Sequence, residues 1–176
     1  PELSKLISDY IGDDFKLDYT RFEMLKAFID DEDYISRFED IKKENKHRLS
    51  EYVYQKQGIK LNENALFDVQ CKRLHEYKRQ LLKVLHIIYL YNRLLADPSS
   101  LKQPITFIFA AKASPGYARA KNIIRLINAV GDLVNNDERI NKLLQVVFIE
   151  NYCVSAAEVM IPATDVSEQI STAGME

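Results

Sequence analysis

The segment Leu66-Phe67-Asp68-Val69-Gln70-Cys71-Lys72-Arg73-Leu74-His75-Glu76-Tyr77-Lys78-Arg79-Gln80 changes character along its length. Residues 66–70 form a short apolar run that reads as a strand. From about His75 to Leu95 the pattern predicts a helix that is apolar almost all round, hence well buried. Between them lie the cations Lys72, Arg73, Lys78 and Arg79. Cations are unfavourable beside a helix N-terminus, whose dipole end is positive. Placing them there makes sense if an anion, above all a phosphate, sits among them. The competing reading is a surface turn in which Glu76 pairs with Lys72, Arg73 or Arg79. Composition leaves the two level.

Downstream the same grammar repeats. Ile105-Thr106-Phe107-Ile108-Phe109-Ala110 is a second strand, β-branched and aromatic without polar alternation. Ser114-Pro115-Gly116 opens a helix through Ile123, Ile124, Ile127 and Val130 to Val134. Gln145-Val146-Val147-Phe148-Ile149 is a third strand, and a short helix from Val154 to Met160 ends at Pro162. This β-α-β-α-β order with continuous apolar strands indicates an α/β fold, a Rossmann-like parallel sheet covered on both faces. The unit spans residues 65–176.

Residues 1–64 read as a helical extension without a strand. Leu3, Leu6, Ile7 and Tyr10 share a helical face that Gly12 stops. Thr20 caps a short helix through Phe22, Leu25 and Phe28. Asp30-Asp31 begins a longer helix with the stripe Tyr34, Ile35, Phe38, Ile41, Leu49, Tyr52 and Val53, closed by Gly58. Its interspersed Lys42, Lys43, Glu44, Lys46 and Arg48 read as a solvated face.

In parallel sheets, ligands bind outside the carboxyl ends of the strands. Here those ends are followed by Cys71-Lys72-Arg73, by Ala111-Lys112-Ala113-Ser114-Pro115-Gly116, and by Glu150-Asn151-Tyr152-Cys153. The grouping favours an anionic ligand over any single motif. A net charge of −2 across 176 residues argues against nucleic acid or an anionic membrane as partner. No apolar run is long enough to span a bilayer. Cys71 and Cys153 lack metal-ligand spacing and form no disulfide framework, which fits a reducing cytoplasm. There is no Gly-rich phosphate loop. His86, inside an apolar helix, reads as a core histidine; Tyr89 and Tyr91 read as core packing. The chain begins Pro1-Glu2-Leu3 and ends Ala173-Gly174-Met175-Glu176, as if cut from something longer.

The stretch from Phe67 to Leu82 closely resembles the hallmark of the glycogen, starch and maltodextrin phosphorylases. So do Ala111-Lys112-Ala113-Ser114-Pro115-Gly116-Tyr117 with Ala120-Lys121, Phe148-Ile149-Glu150-Asn151-Tyr152 with Val154-Ser155, and the run from Ile161 to Gly174. Lys43-Glu44-Asn45-Lys46 in the helical extension is similar too. The resemblance implies half of a two-domain, GT-B type glycosyltransferase. It implies an α-1,4-glucan phosphorylase that uses inorganic phosphate to release α-glucose 1-phosphate, with pyridoxal 5′-phosphate as cofactor. It implies that the parent is a cytoplasmic homodimer, with glucan and inorganic phosphate as its small-molecule partners. Lys72 matches a contact to the cofactor phosphate, Arg73 the clamp on the substrate phosphate, and Lys78 a lysine between the two. Tyr77 matches a tyrosine near the glucosyl and phosphate site, Tyr152 one beside the cofactor, and Glu176 a glutamate that binds glucose hydroxyls. Lys112 belongs to the surroundings, and Arg79 falls to a structural role. Cys153, Met175 and Ala111 depart from the usual arginine, threonine or lysine, and glycine. The resemblance also implies that the cofactor-anchoring lysine and the facing domain lie outside these residues, so that the fragment alone is inactive. A non-catalytic module that binds a phosphorylated metabolite or a protein partner is the alternative.

Overall fold

The computed structural model describes residues 2–175. The expected strands form: β1 (Leu66–Cys71), β2 (Ile105–Ala110) and β3 (Leu144–Ile149), with a fourth, β4 (Val166–Ser167). The sheet order is β3-β2-β1-β4 and every pairing is parallel. Register aligns Cys71, Ala110 and Ile149, so the three long strands end level with one another.

The helices are α1 (Glu2–Ile11), α2 (Glu32–Gln57), α3 (Gln80–Ala96), α4 (Ala118–Asn135) and α5 (Val154–Ala163). Strand side chains alternate between faces. Phe107 and Phe109 enter one cluster with Val84, Ile87 and Leu94 of α3 and Ile123, Ile127 and Val134 of α4. Phe67, Val69, Ile108 and Val147 enter the other with Leu49 and Val53 of α2 and Ala156 and Met160 of α5. The sheet is therefore covered on both faces, and the last turns of α2 belong to one cover. A third, small cluster of Ile7, Ile11 and Phe15 holds the N-terminal turns.

Local chemistry explains the helix ends. The Asp31 carboxylate accepts from the Tyr34 amide at 2.8 Å and caps α2. Gly58, at φ 70, takes the left-handed conformation that closes it.

Several expectations are corrected. The 19–28 segment is a 3-10 helix (Tyr19–Phe28) without a buried residue, and Asp18, not Thr20, is its cap. On α2, Ile35 and Phe38 are exposed, and burial concentrates at Leu49 and Val53. Lys42 and Lys46 are not solvated: they reach residues 162–165, as described below. The helix after β1 starts at Gln80, preceded by a 3-10 turn (Glu76–Lys78). That helix is buried on one side only. Leu81, Leu82, Leu85 and Tyr89 are exposed, and His86 with them, because α4 and the sheet cover only its opposite face. Tyr91 is buried as expected, and its hydroxyl donates to Asp137 at 2.7 Å.

Candidate functional site

The chain runs β1-α3-β2-α4-β3 in one direction across the sheet, then returns through α5 to place β4 on the far side of β1. The order reverses between β1 and β4. Such switch points open a crevice at the carboxyl edge, where ligands bind in open α/β sheets. Lys72 follows β1 at that edge, and residues 168–172 follow β4 beside it, with the Glu168 amide on the Val69 carbonyl and the Thr172 amide on the Tyr77 carbonyl.

The loop between β1 and α3 is tied down along its length. The Lys72 amide donates to the Ala110 carbonyl and the Leu74 amide to the Lys112 carbonyl, each at 3.0 Å. Leu74 is buried, which anchors the loop's middle. His75 is extended, and the Tyr77 amide donates to its Nδ1 at 3.4 Å. One 3-10 turn follows, and Arg79 at φ 57 makes the left-handed step into α3.

The Glu76 carboxylate pairs with Arg119 and accepts from the Tyr117 hydroxyl at 2.6 Å. These bonds hold its carboxyl below the usual range. Glu76, the anion of the surface-turn reading, is thus tied to α4 and the loop before it. His75 packs between Tyr77 and Tyr117, at ring separations of 4.3 and 5.4 Å.

Lys72 and Lys78 are half-buried, Arg73 is exposed, and the Lys78 ammonium lies 5.6 Å from the Tyr77 ring centre. Tyr152, after β3, reaches across the end of β2: its hydroxyl bonds to the Cys71 thiol and is pushed up to about 12 by that bond and by burial. Burial likewise raises the Cys71 thiol, against the bond from Tyr152. Structure thus brings Lys72, Arg73, Tyr77 and Lys78 into one loop, with Tyr152 beside its origin. Lys112 lies next to Leu74 through its backbone. Glu176 lies outside the described residues.

Arg79 does not face the crevice as a ligand group. Its guanidinium donates to the Ile170 carbonyl at 2.5 Å and the Ser171 carbonyl at 2.9 Å. The Thr172 amide donates to the Tyr77 carbonyl at 2.8 Å. Upstream, the Phe67 amide donates to the Asp165 carboxylate at 2.8 Å, which also pairs with Lys46 at 2.6 Å. Lys42 donates to the Thr164 carbonyl at 2.6 Å. The segment after α5 is therefore strapped along β1 and over the cationic loop.

Sequence reasoning missed three buried polar side chains under this loop: Asp68, Gln70 and Lys83 are at most 8% exposed, and so is Gln80 at the start of α3. The signal was present in β1, whose Phe67-Asp68-Val69-Gln70 alternates apolar and polar residues although both faces are covered. Among the described residues no cluster of His, Cys, Asp and Glu could hold a metal, and no helix is long and apolar enough to cross a membrane.

A four-stranded parallel sheet with helices on both faces and a cationic loop at its switch point defines a Rossmann-like α/β unit. The family model for carbohydrate phosphorylases matches residues 1–176. The chain is 48% identical over its whole length to the liver form of glycogen phosphorylase from Homo sapiens, and 50% identical to glycogen phosphorylase from Haemophilus influenzae. Glycogen phosphorylase from Chlamydia pneumoniae matches at 47%. The chain belongs to the carbohydrate phosphorylase family. It spans 21% of the length of these relatives.

Proposed function

We propose that these residues form part of an α-1,4-glucan phosphorylase, which cleaves glucan with inorganic phosphate to give α-glucose 1-phosphate and a shorter glucan. One observation carries the reading: in a member of this family, Lys72, Arg73 and Lys78 share a tied-down loop at the sheet's switch point, with Tyr152 beside it.

The donor set fits pyridoxal 5′-phosphate. Lys72 and Lys78 suit a phosphate dianion, and Tyr152 offers an aromatic wall held in place by its bond to Cys71. Bound there, the cofactor supplies proton chemistry through its phosphate. Lys72 holds that phosphate. Arg73, exposed and planar, clamps the substrate phosphate through paired N–H donors. Lys78 would offset the charge of both anions, whose mutual repulsion grows as water is excluded. Tyr77 borders the glucosyl position, and Glu176 binds glucose hydroxyls. Glucan and phosphate are the substrates, and the parent works as a cytoplasmic homodimer; Cys71 and Cys153 are both free thiols, as a reducing compartment requires.

Because these residues span about a fifth of the relatives, we assign catalysis to a longer polypeptide. The 176-residue chain, given pyridoxal 5′-phosphate, maltoheptaose and phosphate, is expected to release no glucose 1-phosphate. Titration with inorganic phosphate, followed by amide NMR, should move the signals of Lys72, Arg73 and Lys78. Arg73→Ala should weaken that binding about tenfold, the loss of a charge-assisted bidentate contact. Phosphate that leaves the loop signals unmoved would overturn the reading.

A further inference from the structure

Two buried carboxamides grip the cationic loop from beneath, at opposite ends. Gln70, in the last turn of β1's pleat, is 1% exposed and its Nε2 donates to the Lys78 carbonyl at 3.2 Å. Gln80, the first residue of α3, is 2% exposed and its Nε2 donates to the Arg73 carbonyl at 3.3 Å. The strand side thus holds the far end of the loop, and the helix side holds the near end. A carbonyl can only accept, so each amide nitrogen must face it, and this fixes both side-chain orientations. The remaining Oε1 of each is buried and has no hydrogen-bond partner. A buried orphan acceptor is costly, and an apolar residue of similar size would avoid that cost. Each glutamine thus trades one orphan acceptor for one bond to a loop carbonyl, so its net effect falls on the loop path more than on global stability.

We propose that Gln70 and Gln80 are positioning residues of the anion site: crossed braces that hold the backbone of Arg73 and Lys78 so that these two cations meet the substrate phosphate together. The inference rests on the reading of this loop as the phosphate site. The residues touch no substrate; they act through two carbonyls. An oxyanion site gains most when its donors are fixed before the ligand arrives.

The test uses the 176-residue chain and Gln70→Leu, Gln80→Leu and Gln70→Glu variants. Amide exchange in the free protein reports the braces alone. Gln70→Leu should speed exchange at Lys78 and Arg79, whose amides bond within the turn, and Gln80→Leu at Leu74, whose amide bonds to the Lys112 carbonyl, each by about fivefold per lost bond. They should keep the thermal midpoint within a few degrees, roughly the shift of 1 kcal/mol. Inorganic sulfate, which does not titrate near neutrality, should bind about fivefold more weakly to each. In Gln70→Glu a carboxylate cannot donate to the Lys78 carbonyl, but its protonated form can. Burial raises such a carboxyl, so sulfate affinity should recover between about pH 8 and about pH 5.5 relative to the unaltered chain. Unchanged loop exchange and unchanged sulfate affinity in the leucine variants would overturn the bracing role. So would a large drop in midpoint with sulfate affinity preserved. If the unaltered chain binds neither sulfate nor phosphate while exchange responds to the variants, the braces stand and the anion-site reading falls.

Discussion

The Lys83 ammonium meets the Asp68 carboxylate at 2.5 Å inside the sheet–α3 interface, and also donates to the Asp68 carbonyl at 3.2 Å. The Lys83 side chain is fully buried and lies over the Phe107 and Phe109 rings at 5.4 and 5.2 Å. Burial draws this ammonium below the ordinary lysine value, with Asp68 pulling the other way. A lone buried charge would be intolerable, so each member of the pair depends on the other. The pair fastens α3 to β1 directly below the cationic loop.

Lys83→Met should cost about 3 kcal/mol in urea denaturation, since it leaves Asp68 buried without its partner. The double variant Asp68→Leu with Lys83→Met should recover to within about 1 kcal/mol of the unaltered chain, because apolar isosteres avoid the desolvation of both ions. A double variant as unstable as the single one would show that the pair is not the reason for the loss.

Asp165 fastens the strap after α5. Burial alone would raise its carboxyl, but the Lys46 ammonium and the Phe67 amide outweigh it and hold the group below the usual carboxylate range. Its folded value lies under the unfolded one of about 3.9, so its stabilisation is present above about pH 4 and is lost as pH falls through the folded value. Asp165→Asn should therefore cost about 2 kcal/mol near neutrality. That difference should shrink once the pH drops below the unfolded carboxylate value. Parallel stability curves at every pH would contradict the assignment.

Much of this was legible in the sequence, for identifiable reasons. Ile105 to Ala110 is an uninterrupted β-branched and aromatic run, and it forms a strand with those bounds. Asp31 and Gly58 bracket α2 because capping chemistry is local. Local pattern could not supply what depends on distant partners. Val166–Ser167 is too short to register as a strand and exists because neighbouring amides bond to β1: Asp165 to the Phe67 carbonyl, and Glu168 to the Val69 carbonyl. Lys83 looks like an ordinary helix lysine until Asp68 is found opposite it. The exposure of Leu81, Leu85 and Tyr89 was hidden because a helix apolar on all sides does not state which side is covered. In the site, the cations were visible as a cluster, but Arg79 was separable from the others only through the Ile170 and Ser171 carbonyls it holds.

Arg79 combines a left-handed backbone with a clamp on the strap. Arg79→Gly would relax the backbone, a gain of about 1 kcal/mol, but would remove both guanidinium bonds. The expected result is a nearly unchanged urea midpoint with faster amide exchange at Thr172, which bonds to the Tyr77 carbonyl. Arg79→Lys should behave like the glycine variant at Thr172, since an ammonium lacks the planar fork that spans two successive carbonyls. Thr172 exchange unaltered in both variants would remove Arg79 from the strap.

Gly131, inside α4, sets how closely that helix approaches β3. A Cβ there would meet the Val146 carbonyl oxygen at 3.3 Å and the Val146 Cβ at 3.8 Å. Helix propensity favours alanine over glycine by about 1 kcal/mol. The outcome turns on whether the Val146 backbone can yield. It cannot do so cheaply: Val146 pairs with Phe107 in the sheet, its carbonyl accepts from Asn135 Nδ2 at 2.8 Å, and its amide donates to Asn135 Oδ1 at 2.9 Å. Moving the helix outward instead would loosen Ile127, Val130 and Val134, all buried against the same face. Gly131→Ala should thus destabilise the chain by about 1–2 kcal/mol despite the better propensity, the usual cost of overpacking a fixed contact. Chemical denaturation measures it, and Gly131→Ser should be worse than alanine. A stabilised alanine variant would mean that α4 floats on the sheet.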